Sequence, residues 1–184
     1  MSKIEPAAIA AVAARVANGG MSSPRDIFAI FQFGQTTAAL PREAVVEFLP
    51  LPDLTRPPAA PRALAGVFNL GGEAVPVVSM AALFGGADEP GLYSHMLVVR
   101  SGDRRTALLV DRVLDVAETA PDALRPADEG DSLNGCVSAQ LAHDGALIPV
   151  LSLERLLLAE EKARLADIAE AAQARIDEWS PSAA

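Results

Sequence analysis

Val75-Pro76-Val77-Val78-Ser79-Met80-Ala81-Ala82-Leu83 recurs 73 residues later as Ile148-Pro149-Val150-Leu151-Ser152-Leu153-Glu154-Arg155-Leu156. Each copy reads as an apolar strand with one proline, then a serine, then a short apolar run. Proline has no N–H, so it belongs at a strand edge or a bulge. The serine three residues on is placed to cap a helix, because its hydroxyl can accept from the free N–H groups of the first turn. A second match precedes the first in both halves: Val45-Val46-Glu47-Phe48 and Val113-Leu114-Asp115-Val116, offset by 68 residues. The order is the same each time: an apolar pair with a carboxylate, a proline-containing loop, then the apolar-Pro strand. Two matches in one order, with offsets differing by only five residues, favour two related subdomains.

Around the repeat, the pattern is that of strands. Ile27 to Phe33 is β-branched and aromatic, and Gly34-Gln35 punctuates it. Gly71-Gly72, Gly102-Asp103 and Asp144-Gly145 stand between apolar runs and read as hairpin turns, since glycine supplies the positive φ that tight turns require. The flanking runs are Val67–Leu70, Ala74–Val78, Met96–Val99, Ala107–Val110, Val113–Val116, Leu133–Leu141 and Leu147–Leu151. Short strands joined by tight turns indicate a mainly β protein, a small barrel or sandwich and not a βαβ fold. Pro50 to Pro61 holds five prolines and reads as an extended loop. Pro121 to Asp131 is a second loop, and Gly85 to Gly91 a third and a boundary between halves. The expected organisation is a mobile arm over 1–25, a domain over 26–158 with subdomains of roughly 26–90 and 91–152, and a helix and tail over 153–184. The first capped helix is short, Met80 to Phe84, stopped by Gly85-Gly86. The second is expected to run from Leu153 to about Trp179, with Leu165, Ile168, Ala172 and Ile176 as an apolar stripe opposite Glu161, Arg164 and Glu178. That stripe either packs on the chain's own body or faces a partner.

Composition excludes several functions. The 184 residues carry 15 Lys+Arg against 24 Asp+Glu, a net charge of −9, so no general nucleic-acid binding is expected. One cysteine, Cys136, rules out an intrachain disulfide framework and a multi-cysteine metal site. The run Ala7 to Ala14 is far short of the ~20 residues a membrane helix needs, and the start lacks the features of a secretory signal. No membrane insertion and a cytoplasmic location are the expectation.

An enzyme on a small barrel is the rival class, and little supports it. His143-Asp144-Gly145 is accounted for as turn chemistry, His95 begins a strand, and Cys136 lies in an apolar run without a basic neighbour to activate it. There is no GxSxG, P-loop lysine motif or GxGxxG. No catalytic residue, metal ligand or cofactor is expected. Glu47 stands out as a charge within an apolar strand, with Asp115 in the matching place of the second half. Such a face, apolar atoms around one charge, has the composition of a protein-binding patch. Asp111 closes the strand before Asp115 and reads as a turn or cap residue.

The stretch Gly66-Val67-Phe68-Asn69-Leu70-Gly71-Gly72-Glu73-Ala74-Val75-Pro76-Val77-Val78 resembles the CheW family of chemotaxis coupling proteins, whose pattern is G-V-(I/T)-N-L-R-G-x-(I/V)-(I/V)-P-(I/V)-(I/V)-D-L. Other segments keep the family's order: Phe28 to Phe33 with its first strand, Val45-Val46-Glu47 with V-x-E, Thr55 to Pro61 with the loop before the glycine, Leu109-Val110-Asp111 through Val116 with V-D-x-V-x-x-V, Leu124-Arg125-Pro126 with I-x-P, and Ile148 to Leu156 with the closing strand. The resemblance covers about residues 27–158. It implies two five-stranded barrels of the Src-homology-3 type, side by side, and an adaptor without enzyme activity. It implies two partners, the regulatory domain of a CheA-type histidine kinase and the cytoplasmic tips of chemoreceptors. Partner contacts are implied at Val45, Glu47, Asn69 and Gly71. Gly71 replaces the family arginine and Ser79 the family aspartate, which raises the alternative of a divergent scaffold in a non-flagellar pathway with a different partner.

Overall fold

Strand β1 (Asp26–Phe33) is apolar at consecutive positions from Ile27 to Phe31. A strand of that composition has to be covered on both faces, and the computed structural model shows both covers. Ala29, Phe31 and Phe33 enter one apolar cluster, Phe28 and Ile30 another. The structure describes residues 26–58, 60–87, 90–101, 104–127, 133–156 and 168–176. The N-terminal arm over 1–25 lies outside them.

The further strands are β2 (Thr36–Pro41), β3 (Val45–Pro50), β4 (Leu64–Leu70), β5 (Glu73–Ser79), β6 (His95–Ser101), β7 (Arg104–Val110), β8 (Arg112–Thr119), β9 (Leu124–Pro126), β10 (Val137–His143) and β11 (Ala146–Leu151). Helix α1 (Met80–Leu83) follows β5, and α2 (Leu153–Leu156) follows β11. One sheet has six strands in the order β8-β1-β2-β11-β10-β9, the other five in the order β3-β6-β7-β5-β4. The two orders superimpose: β8 stands for β3, β1 for β6, β2 for β7, β11 for β5 and β10 for β4, with β9 added. Pairing directions agree, since β1–β2 and β6–β7 are antiparallel hairpins while β2–β11 and β7–β5 pair in parallel. The repeat in the sequence is therefore a repeat in space.

Each half, however, lends its hairpin to the other sheet. The expected boundary near residue 90 is corrected: the five-stranded sheet is the continuous stretch β3 to β7, and the six-stranded sheet takes β1 and β2 together with β8 to β11. The cause is the length of two connections. Only Arg42–Ala44 separates β2 from β3, and only Asp111 separates β7 from β8. A parallel neighbour needs a crossover of a dozen or more residues, and one residue cannot make even a hairpin. The chain runs straight on into the other sheet.

Closed five-stranded barrels are corrected as well. Each sheet keeps two edge strands among the described residues, and β9, expected as part of a loop, adds a sixth strand to one of them. The outer edge of β4 is taken by the proline-rich loop: the Thr55 N–H donates to the Val67 carbonyl at 2.9 Å and the Val67 N–H to the Thr55 carbonyl at 2.8 Å. Gly66 is what lets that loop approach, because a Cβ there would stand 2.8 Å from the Leu54 Cβ. The expected strand from Leu133 starts later, at Val137, since Leu133, Asn134 and Gly135 have φ of 25°, 59° and 77° and make a turn.

One apolar seam joins the sheets. It takes Phe31, Phe33 and Leu40 from the six-stranded sheet, Val45, Leu97 and Leu108 from the five-stranded one, and Met80 and Leu156 from the helices. Phe33 stacks on Phe84, just beyond α1, with ring centroids 5.3 Å apart. The expected serine cap is present: the Ala82 N–H donates to the Ser79 hydroxyl at 3.2 Å. A single helix from Leu153 to about Trp179 is not confirmed. The described residues show α2, with Leu156 buried in the seam, and helical residues over 168–176, here α3. Residues 157–167 and 177–184 lie outside the described residues.

Phe31 is fully buried between the sheets. We expect Phe31→Ala to cost ~3–5 kcal/mol and to lower the urea midpoint of both sheets together, read by probes placed in each.

Candidate protein-binding surface

The repeated apolar-carboxylate segments are the edge strands β3 and β8. In β3 the register passes from Val45–Val99 to Glu47–Val98 and leaves Val46 unpaired. In β8 it passes from Phe31–Val113 to Ile30–Asp115 and leaves Leu114 unpaired. The same bulge thus occurs at the same repeat position in both sheets. A bulge places an extra residue on the strand and re-aims the side chains around it. Val46 and Leu114 are pushed outward to 39% and 42% exposure, each followed by a carboxylate.

The bulge changes the reading of Val45. Strand alternation puts Val45 on the face of Glu47, but its side chain is 2% exposed and packs in the seam, so it is not available to a partner. Val46 takes its place at the surface. Glu47 is half-buried, and among the described residues no hydrogen bond or ion pair engages its carboxylate. Asp115 is held more firmly. Its Oδ1 accepts from the Val116 N–H at 2.8 Å, and its Oδ2 lies 3.6 Å from His143 Nε2.

Asn69 and Gly71 lie on the β4–β5 turn, at the other end of the strand order from Glu47, so sheet pairing does not bring the four expected residues into one cluster. Both are exposed. The Asn69 Oδ1 accepts from the Gly72 N–H at 2.7 Å and fixes the turn. Gly71 and Gly72 have φ of 63° and 92°, the left-handed geometry expected of a two-residue hairpin.

Where the sheets meet, a groove of about 500 Å³ opens between β2, the Arg42–Ala44 turn, β11 and α2. Pro41 and Leu153 give it apolar lining over the buried Leu40 and Leu151, with Glu43 and Arg100 among its polar lining. This groove was not legible in the sequence, because its walls come from residues more than 100 positions apart. The outward turn of Val46 and Leu114 also escapes alternation, although the repeat itself marks the two strands as equivalent.

The titratable residues considered for chemistry are dispersed. Cys136 is buried, and its thiol donates to the Arg155 carbonyl at 3.4 Å. His95 is half-buried at the start of β6; burial lowers its pKa from 6.5, and a hydrogen bond with the Tyr93 backbone opposes the drop. Asp111 has the cap role expected of it, accepting from the Gly34 N–H at 2.7 Å across the two sheets. His143 lies 3.5 Å from the exposed Asp144 and 3.6 Å from Asp115, at the rim of the six-stranded sheet.

Residues 28–161 match the CheW-like domain family. The chain belongs to the CheW-like family. It is 29% identical over 153 residues to the Chemotaxis protein CheW of Rhizobium meliloti, covering 82% of this chain and 96% of that one. It is 27% identical over 129 residues to the Chemotaxis protein CheW of Helicobacter pylori, covering 69% and 78%. The crystal structure of the scaffolding protein TtCheW from Thermoanaerobacter tengcongensis shares the fold, with a TM-score of 0.69 over 75% of this chain and 96% of that one, at 20% identity. This CheW-like chain is an adaptor of chemosensory signalling. The alternative of a non-flagellar scaffold is not favoured by relatives that are chemotaxis proteins by name.

A side chain added at Gly71 has open space, since nothing lies within 4 Å of its Cβ position, but it has to adopt φ of +63°. Gly71→Arg, which restores the residue type of the family pattern, is expected to cost about 1 kcal/mol through backbone conformation alone. Chemical denaturation of the variant beside the parent checks it.

Proposed function

We propose that this adaptor couples the regulatory domain of a CheA-type histidine kinase to the cytoplasmic tips of chemoreceptors, by binding and without catalysis, in the cytoplasm. The observation that carries the reading is the pair of equivalent bulged edges. An adaptor needs surfaces that stay apart and keep a fixed relation. Val46 with Glu47 on one sheet, and Leu114 with Asp115 on the other, present an apolar side chain beside a carboxylate on a strand with unpaired main-chain groups. Such an edge is a template for a partner strand.

The kinase regulatory domain is assigned to the five-stranded sheet, with Glu47 and Val46 at the β3 edge and Asn69 and Gly71 at the β4–β5 turn. The receptor tip is assigned to the groove between the sheets, a concavity with apolar lining and a polar rim. The net charge of −9 gives basic partner surfaces an advantage in encounter. The absence of a catalytic role rests on the dispersal of the titratable side chains: the thiol is packed, and His143 is held at a rim with two carboxylates. Among the described residues no helix is long and apolar enough to cross a membrane.

Glu47→Lys replaces an unpartnered carboxylate with the opposite charge. Binding to the kinase regulatory domain, measured by titration calorimetry, should weaken ~10-fold or more, while stability changes by no more than ~0.5 kcal/mol. Unchanged affinity would remove the β3 edge from the interface.

A further inference from the structure

Two properties of the groove between the sheets bear on what it can hold. The first is that it opens onto no strand edge. The strands that line it are β2, β6, β10 and β11, and each has a neighbour on both sides in its sheet. Pro41, where β2 ends, has no N–H to give. An extended peptide laid there would leave its own main-chain groups unpaired, and a buried unpaired group is costly. A helix satisfies its main chain internally and brings only side chains. With Pro41 and Leu153 as apolar lining, the groove suits the apolar face of an amphipathic helix.

The second property is charge. Among the described residues, the charged side chains that line the groove are Glu43 and Arg100, and both are exposed. Strand β3 starts on β6 at the pair Val45–Val99, so Glu43 stands two residues before that pair and Arg100 one residue after it. Near as they are, they form no ion pair, and among the described residues no hydrogen bond or ion pair engages either. Arg42 differs, since its Nη1 donates to the Val45 carbonyl. Ser138, Ser152 and Leu153, which the six-stranded side brings to the groove, are neutral, and the Ser138 hydroxyl already donates to the Val150 carbonyl at 3.1 Å. A cation and an anion, both unengaged, therefore stand together where the five-stranded sheet begins. A helix in the groove meets both on one flank.

We propose that Glu43 and Arg100 determine which helix the groove accepts and in which direction it lies. The occupant presents a carboxylate to Arg100 and a cation to Glu43, along one flank of its apolar stripe. The same helix turned end for end sets like charges together, and the groove rejects it. This rests on the assignment of the receptor tip to the groove and adds the residues that read the tip.

The test uses the full chain and a soluble fragment of a chemoreceptor tip, with titration calorimetry at low and at physiological ionic strength. Glu43→Arg and Arg100→Glu should each weaken binding about fivefold at low salt, and the difference should shrink as salt rises. Glu43→Gln and Arg100→Gln should weaken it less, and they carry the test if a reversal disturbs the fold as seen by circular dichroism. The double variant Glu43→Arg with Arg100→Glu should stay weak towards the same fragment. It should bind tightly a fragment in which the acidic and basic residues flanking the apolar stripe are exchanged. Recovery of the parent's affinity by the double variant on the unmodified fragment means that the two charges act on each other, and overturns the proposal. Parent-like affinity in all the single variants also overturns it, and leaves the receptor tip in the groove. If the parent chain does not bind the fragment at all, the receptor assignment fails and the proposal falls with it.

Discussion

A single residue, Asp111, separates β7 from β8, and that shortness governs the architecture. No chain reversal fits in one residue, so β7 finishes in one sheet while β8 begins the edge of the other. Asp111 secures the crossing on both sides. Its N–H donates to the Gln32 carbonyl at 2.9 Å, and its carboxylate accepts from the Gly34 N–H at 2.7 Å. Arg112 adds a bond from Nε to Gln32 Oε1 at 2.9 Å. The equivalent passage from β2 to β3 runs through Arg42–Ala44, where Arg42 donates to the Val45 carbonyl at 2.5 Å. The two crossings exchange hairpins between the halves, and the exchange sets Phe31 and Phe33 against Leu97 and Leu108 across the seam. Neither sheet can then shift without opening that core.

Much of this was legible in the sequence. The strands, the turns at Gly71-Gly72 and Asp144-Gly145, the serine cap at Ser79 and the twofold repeat all follow from local chemistry. What escaped depends on distant pairing. Repeats along a chain do not say whether a hairpin folds onto its own half, and only the connection lengths at Arg42–Ala44 and Asp111 carry that information. A partner contact at Val45 is implied by the family resemblance, and alternation puts Val45 on the face of Glu47; period-2 reasoning assumes an unbroken ladder, and the bulge at Val46 breaks it. The long helix was read from an apolar stripe, of which Ile168, Ala172 and Ile176 lie in the helical residues 168–176, while Leu165 lies outside the described residues.

The surface follows from the same constraint. Quasi-equivalent halves give quasi-equivalent edges, so a bulge in one sheet reappears in the other. The seam that locks the sheets also leaves a groove between them. Edges and groove are therefore fixed relative to one another, as an adaptor requires if two partners are to be held in a set geometry. Gly71 fits the same picture. The turn that carries an arginine in the family pattern is here a pair of glycines, with open space where a Gly71 side chain would stand.

The account stands most directly on simultaneous occupancy. Sedimentation of the full chain, with the regulatory domain of a CheA-type kinase and a soluble fragment of a chemoreceptor tip, measures it. Separate surfaces on one rigid body predict a ternary species in which all three components sediment together. If each partner instead displaces the other, so that only binary complexes are seen at saturating concentrations, the two surfaces are one and the account is wrong.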